Sequence, residues 1–251
     1  MNDYLIVGVR INDVRSLFSR VFEIQPKFAD FDRREIVMDK YVITIQRGYG
    51  SGGRTIGKML SEKLGIPYYD RNLLRLASDD SGINQDLFAK VDEKLKKSLL
   101  FKIASTVYKG EIIPPESDDF TSNVNLFNYQ AKIIKELAAT ESCIIIGRCG
   151  DFVLKDNVNL VRLFVYAPHE DCIRNLYEVE GIDEKEAEKR IASIDKYGAD
   201  YYKYYTGRDW DDVRNYDLCL NSAHLGFDTC VEIVESYLKI RFHNELPKTK
   251  K

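Results

Sequence analysis

The stretch YVITIQRGYGSGGRTIGKML, residues 41–60, constrains the fold of this chain more than any other. A β-rich run over 41–45 breaks into Gly48, Gly50, Gly52 and Gly53. Apolar residues then recur at helical spacing, as Ile56, Met59, Leu60 and Leu64, before Gly65 and Pro67 end the pattern. A strand, a glycine turn and a helix in that order bring backbone N–H groups together at the positive end of a helix. No Cβ atoms stand in the way, which suits the several negative charges of a polyphosphate. Ser51 and Thr55 add hydroxyls. The lysine of the pattern G-x-x-x-x-G-K-[ST] is missing, and counting from Gly48 puts Arg54 in its place with Thr55 after it. A guanidinium can stabilise phosphate charge, but its planar fork is bulkier than an ammonium.

Downstream, strand and helix patterns alternate. IPYYD ends a short strand candidate at Asp70, and residues 71–140 read mostly helical around a Pro- and acid-rich loop, GEIIPPESDDF. CIIIGR and VRLFVYA are continuous apolar runs, as in strands buried on both faces. Pro168 opens a helix that Gly181 closes, and Asp183 with Glu186 has capping-box spacing for the next. YDLCLNS is the last strand candidate, followed by a helix from about Asp228 that turns Val231, Val234 and Leu238 inward. The alternation predicts an α/β fold with a parallel sheet covered on both sides. Before the glycine stretch, YLIVGVRI reads as a strand. Asn12 or Asp13 can cap a helix carrying Val14, Leu17, Phe18, Val21 and Phe22. Two readings of this first unit stay open, an addition to the sheet and a subunit contact in a homo-oligomer.

Lys+Arg 37 against Asp+Glu 40 leaves a net charge of -3, so the chain lacks the overall basic footprint of a nucleic-acid binder. No apolar run reaches the roughly 18 residues of a membrane span, and the N-terminus has no basic start or cleavage region. The five cysteines show no CxxC spacing and several lie in apolar runs, so reduced, buried thiols and a cytoplasmic location are expected.

Four stretches together carry a more specific signal: ITIQRGYGSGGRTIGKMLSEKLGIPYYDRNLL, IIIGRCGDFVLKD, VRLFVYAP and DKYGADYYKYYTGRDWDDVRNYDLCLNS. In this order, over roughly residues 41 to 240, they resemble the cytidylate kinase-like family of P-loop proteins. The resemblance implies a P-loop three-layer fold with a five-stranded parallel sheet over residues 41–242. It implies a helical lid around 183–210, with a small appendage at 1–40 and a flexible tail at 243–251. Matching Gly50-Ser51-Gly52 to the GSG of nucleoside-monophosphate kinases gives a second alignment, with Gly53 at the lysine place.

By the same resemblance, Gly48, Gly50, Ser51, Gly52, Gly53, Arg54 and Thr55 hold the phosphates of ATP, with Ser51 or Thr55 near Mg²⁺. Arg148 takes the place of the DGRD arginine and holds the acceptor with Arg71 and Arg208. Asp195 takes the acidic place of the lid pattern D-x-x-R, beside Lys196, and Asp70 orients an acceptor or a metal-bound water. The chain departs from the family at three points: Gly198 replaces the lid arginine, Cys149 the second aspartate of DGRD, and the loop lysine is lost. Arg47, Arg54, Lys196, Lys203 and Arg208 are the cations that could compensate. For YYKYYTGRDW, packing of a lid helix is favoured over base stacking. The implied function is ATP- and Mg²⁺-dependent phosphoryl transfer to a small acceptor such as CMP. The alternatives are a nucleotide-binding regulator without turnover and a kinase of a non-nucleotide acceptor.

Overall fold

The computed structural model describes residues 40–70, 72–82 and 123–243, all within one compact unit, Met38–Lys251. The strand and helix expected in the first 40 residues, the loop GEIIPPESDDF, Arg71 and the tail from residue 244 lie outside the described residues.

Five strands form one parallel sheet: β1 (Val42–Arg47), β2 (Tyr68–Tyr69), β3 (Cys143–Ile146), β4 (Leu160–Tyr166) and β5 (Leu218–Asn221). Their order is β2-β3-β1-β4-β5, with Val42 opposite both Cys143 and Leu160. The strand predicted over 41–45 runs two residues further, because Gln46 and Arg47 continue the ladder opposite Phe164 and Val165. Eight α-helices are described: α1 (Gly53–Leu64), α2 (Asn72–Ser81), α3 (Asn123–Thr140), α4 (Gly150–Val153), α5 (His169–Glu180), α6 (Glu184–Thr206), α7 (Ser222–Leu225) and α8 (Phe227–Arg241).

The two-residue period of a strand sends alternate side chains into two cores. Ile43, Ile45, Ile144 and Ile146 face α1 and α8, where Ile56, Leu60, Val234 and Leu238 are fully buried. Val42, Cys143 and Ile145 face the opposite side, with Leu73, Leu126, Ile134, Tyr201 and Tyr202. The result is the three-layer α/β architecture expected for the chain. Near its carboxyl end β1 departs from the apolar pattern, since Thr44 and Gln46 are buried polar residues. Gln46 Nε2 donates to Asp151 Oδ1 (3.1 Å) and Tyr202 O–H to Asp151 Oδ2 (2.5 Å), so the sheet, α4 and α6 meet at one carboxylate.

Helix ends follow sequence chemistry. α1 and α5 stop at Gly65 and Gly181, both left-handed, where glycine avoids the Cβ clash. Asp183 caps α6 by accepting from the Glu186 N–H at 2.9 Å. All five cysteines are free thiols, four of them buried; Cys219 is exposed because it sits on the edge strand β5.

Candidate active site

Because every strand is parallel, their carboxyl ends share one edge of the sheet, where ligands of open α/β sheets gather. The glycine loop leaves β1 there. Gly48 N–H donates to Val165 O (3.1 Å), Ser51 N–H to Gly48 O (3.2 Å), and Ile56 N–H to Gly52 O (2.9 Å). Gly52 is left-handed at φ 77, and a Cβ on it would fall inside the Phe227 ring, so only glycine fits.

As the N-cap of α1, Gly52 offers no side chain to the helix, whose first N–H groups lack an intrahelical acceptor. Beneath them the buried hydroxyl of Ser51 makes no hydrogen bond. Its carbonyl accepts from Ser222 Oγ (2.6 Å), and the Gly50 carbonyl accepts from Asn175 Nδ2 (2.9 Å), which fixes the loop from α7 and α5. An uncapped helix start over an unpartnered buried hydroxyl presents hydrogen-bond donors at the positive end of a helix dipole.

Two adjoining cavities open from this edge. The smaller, about 120 Å³, is lined by Gly48, Gly50, Gly52, Gly53 and Thr55 together with Asn175 and Glu180. The larger, about 490 Å³, lies between the carboxyl ends of β1 and β3 and the inner face of α6. Arg148, Asp70, Asp195, Gln46 and the aromatic wall of Tyr197, Tyr201, Tyr202 and Trp210 line it. Arg47, Tyr49 and Arg54 border both.

Apart from Arg71, which lies outside the described residues, the sequence-derived candidates can be placed. Asp195 reaches from α6 to the loop, where the Tyr49 N–H donates to its Oδ1 at 2.7 Å. Burial pushes its carboxyl above the usual range, while the Tyr49 bond, Arg47 and His169 hold it down. Arg54 Nε lies 3.0 Å from Asp70 Oδ2, an ion pair without hydrogen-bond alignment, and its side chain is 43% exposed. The cation expected at the lysine place is therefore already matched to a carboxylate.

Arg148 lines the larger cavity from an unusual turn. Gly147, Arg148 and Cys149 are all left-handed, at φ 67, 58 and 54. For non-glycine residues such backbone costs about 1–3 kcal/mol each and persists where the surroundings require it. Lys196 and Arg208 do not join the others. Lys196 is 77% exposed and pairs with Asp200, and Arg208 stacks over the Phe152 ring at 5.4 Å.

Three groups carry more of the site than sequence reasoning assigned them. Gln46 lines the larger cavity and is held by the buried Asp151 behind it, a role that polar residues at i and i+2 in an otherwise apolar strand could have signalled. Trp210 stands in the cavity wall, edge-on to Phe164 at 5.3 Å. The α6 aromatics serve two ends: Tyr205 stacks on Phe127 at 4.0 Å, which packs the helix, while Tyr197 and Tyr201 face the cavity. Among the described residues no group of three His, Cys, Asp or Glu could hold a metal ion, and no helix is long and apolar enough to cross a membrane.

The model of the cytidylate kinase-like family matches residues 42–224, from the start of β1 to within α7. A cytidylate kinase of Methanopyrus kandleri is 24% identical over 215 residues, covering 82% of this chain and 97% of the relative. One from Thermococcus kodakarensis is 25% identical over 198 residues, covering 78% and 86%. The crystal structure of an uncharacterized protein from Eubacterium ventriosum superimposes with a TM-score of 0.58 at 26% identity, over 80% of this chain and 99% of that one.

Proposed function

The chain belongs to the cytidylate kinase-like family, and from that premise we propose that it transfers the γ-phosphoryl group of ATP to a small acceptor, a nucleoside monophosphate such as CMP. The observation that carries this reading is the pair of adjoining cavities with a shared wall of two guanidiniums. One is an anion cradle. The other has an aromatic side that suits a planar base and an arginine that suits a phosphate. The two cytidylate kinases that align with the chain support the same reading.

In this reading the uncapped start of α1 and the glycine loop hold the donor phosphates. Thr55, on the loop cavity, and Ser51, with its unpartnered hydroxyl, are the residues that would hold Mg²⁺. A magnesium ion on a nucleotide keeps several waters and needs few protein oxygens, so this sparse donor set fits it. When bound, the ion neutralises phosphate charge. Arg148 clamps the acceptor phosphate with its guanidinium fork. Asp70 holds Arg54 in place, and α6, which walls the larger cavity, closes over the acceptor to exclude water. We assign residues 41–242 to this catalytic domain and about 183–210 to its lid.

One observation favours a second reading, a nucleotide-binding regulator without turnover: the Asp195 carboxylate already occupies a loop amide. Measuring ATP consumption with Mg²⁺ across nucleoside monophosphates and small alcohols separates the readings. Turnover with a monophosphate is expected. Binding of ATP without turnover on any acceptor would favour the regulator, and turnover only on an alcohol would reassign the acceptor.

A further inference from the structure

We propose that Arg47, the last residue of β1, is the cation that touches the transferring phosphoryl group, and that position 53 is glycine so that the arginine can pass. The inference rests on the phosphoryl-transfer reading and assigns that chemistry a residue outside the glycine loop. A cation is needed because the reaction concentrates charge: the γ-phosphorus leaves the β–γ bridging oxygen, which stays on ADP, and bonds to an acceptor phosphate oxygen. Equatorial oxygens carry the charge between these events.

The geometry singles out Arg47 in four ways. It borders both cavities, so it stands at the junction a phosphoryl group would cross. Its side chain leaves β1 across the first residue of α1. A Cβ built on Gly53 would lie 2.6 Å from Arg47 Cβ and 3.1 Å from its Cγ. A lysine at 53 and an arginine at 47 thus compete for one channel, and this chain has filled it from the strand.

The guanidinium also reaches the acceptor side, since a Cβ on Gly147 would lie 3.5 Å from Arg47 Nη1. Finally, its rival Arg54 has Asp70 as a partner at 3.0 Å. Arg47 lies in the field of two cations, Arg54 and Arg148, with Asp70 and Asp195 as the carboxylates that act on it. Burial, Arg54 and Arg148 lower its pKa, and Asp70 opposes them. A bound polyphosphate would relieve that repulsion.

The test exchanges the two positions. Arg47→Gly should lower kcat by about 10³-fold or more, the size expected for a cation acting at the transition state. By calorimetry it should also erase the preference for ATP over ADP. Arg47→Met keeps the stem that packs on Gly53 and should lose the same preference, which reads the charge alone should the glycine variant not fold. Gly53→Lys alone should be inactive through the clash. Arg47→Gly combined with Gly53→Lys should regain at least tenfold in kcat over Arg47→Gly.

Wild-type turnover and an intact ATP preference in Arg47→Met would overturn the proposal, as would a double variant no better than Arg47→Gly. A wild-type protein that turns over no acceptor, yet loses its ATP preference on Arg47→Met, would refute the kinase reading while upholding the contact.

Discussion

At the scale of single residues, this site is built from groups held where they would not rest alone. Arg148 sits at φ 58 in a turn of three left-handed residues. Arg148→Gly removes a Cβ strain of about 1–2 kcal/mol and adds a backbone entropy cost of roughly 0.5–1 kcal/mol. On these backbone terms alone the variant should melt no lower than the parent. If the side chain clamps the acceptor phosphate, the same variant should raise acceptor KM about tenfold or more, the scale of a charge-assisted bond of roughly 1.5–3 kcal/mol. Its ATP affinity should stay within about twofold. A lower melting temperature would mean that Arg148 is structural, and a loss of ATP affinity would move it to the donor site. Asp195 poses the complementary case, a carboxylate on a loop amide beside the proposed phosphate site. Asp195→Asn keeps the acceptor oxygen and removes the charge. ATP should then bind about threefold to tenfold more tightly, as expected when about 1 kcal/mol of like-charge repulsion is relieved. Unchanged affinity in a calorimetric titration would place the phosphates elsewhere.

At the scale of elements, α6 is anchored through Asp151, which accepts from Gln46 and Tyr202 in the core. Burial raises the Asp151 pKa against the bonds from Tyr202 and Gln46. A raised carboxyl favours folding while it holds its proton. That contribution is present below the unfolded pKa of about 4 and is lost as pH rises through the folded value. Asp151→Asn is free of this loss, so its melting temperature should gain on the parent's as pH climbs from about 4. A constant gap would show that Asp151 is ionised throughout. Asp217 works in the opposite sense. Burial pushes it up, but the Arg162 bonds at 2.8 Å outweigh that and hold its pKa low. Its contribution is lost as pH falls through the folded value. Most of these elements were legible in the sequence, because Gly65, Gly181 and the Asp183–Glu186 pair punctuate helices by local chemistry. The end of β1 was not, because Gln46 and Arg47 are polar and only their partners on β4 show that the ladder continues.

At the scale of the whole molecule, five parallel strands bring residues far apart in sequence to one edge, and two cavities meet there. The strand, glycine turn and helix start could be read from residues 41–60, since that geometry is local. The division of labour among the cations could not. Arg54, Lys196, Arg208 and Arg47 look alike as letters. What separates them is the Asp70 beside Arg54, the Asp200 beside Lys196, the Phe152 ring under Arg208, and the open junction beside Arg47. The account as a whole stands on the start of α1 binding a polyphosphate. Calorimetric titration of the protein with ATP and with adenosine, each in the presence of Mg²⁺, tests this most directly. ATP is expected to bind at least tenfold more tightly than adenosine, with Gly52→Ala, which drives a Cβ into Phe227, losing that difference. Equal affinities for the two ligands, or no heat with ATP, would contradict it.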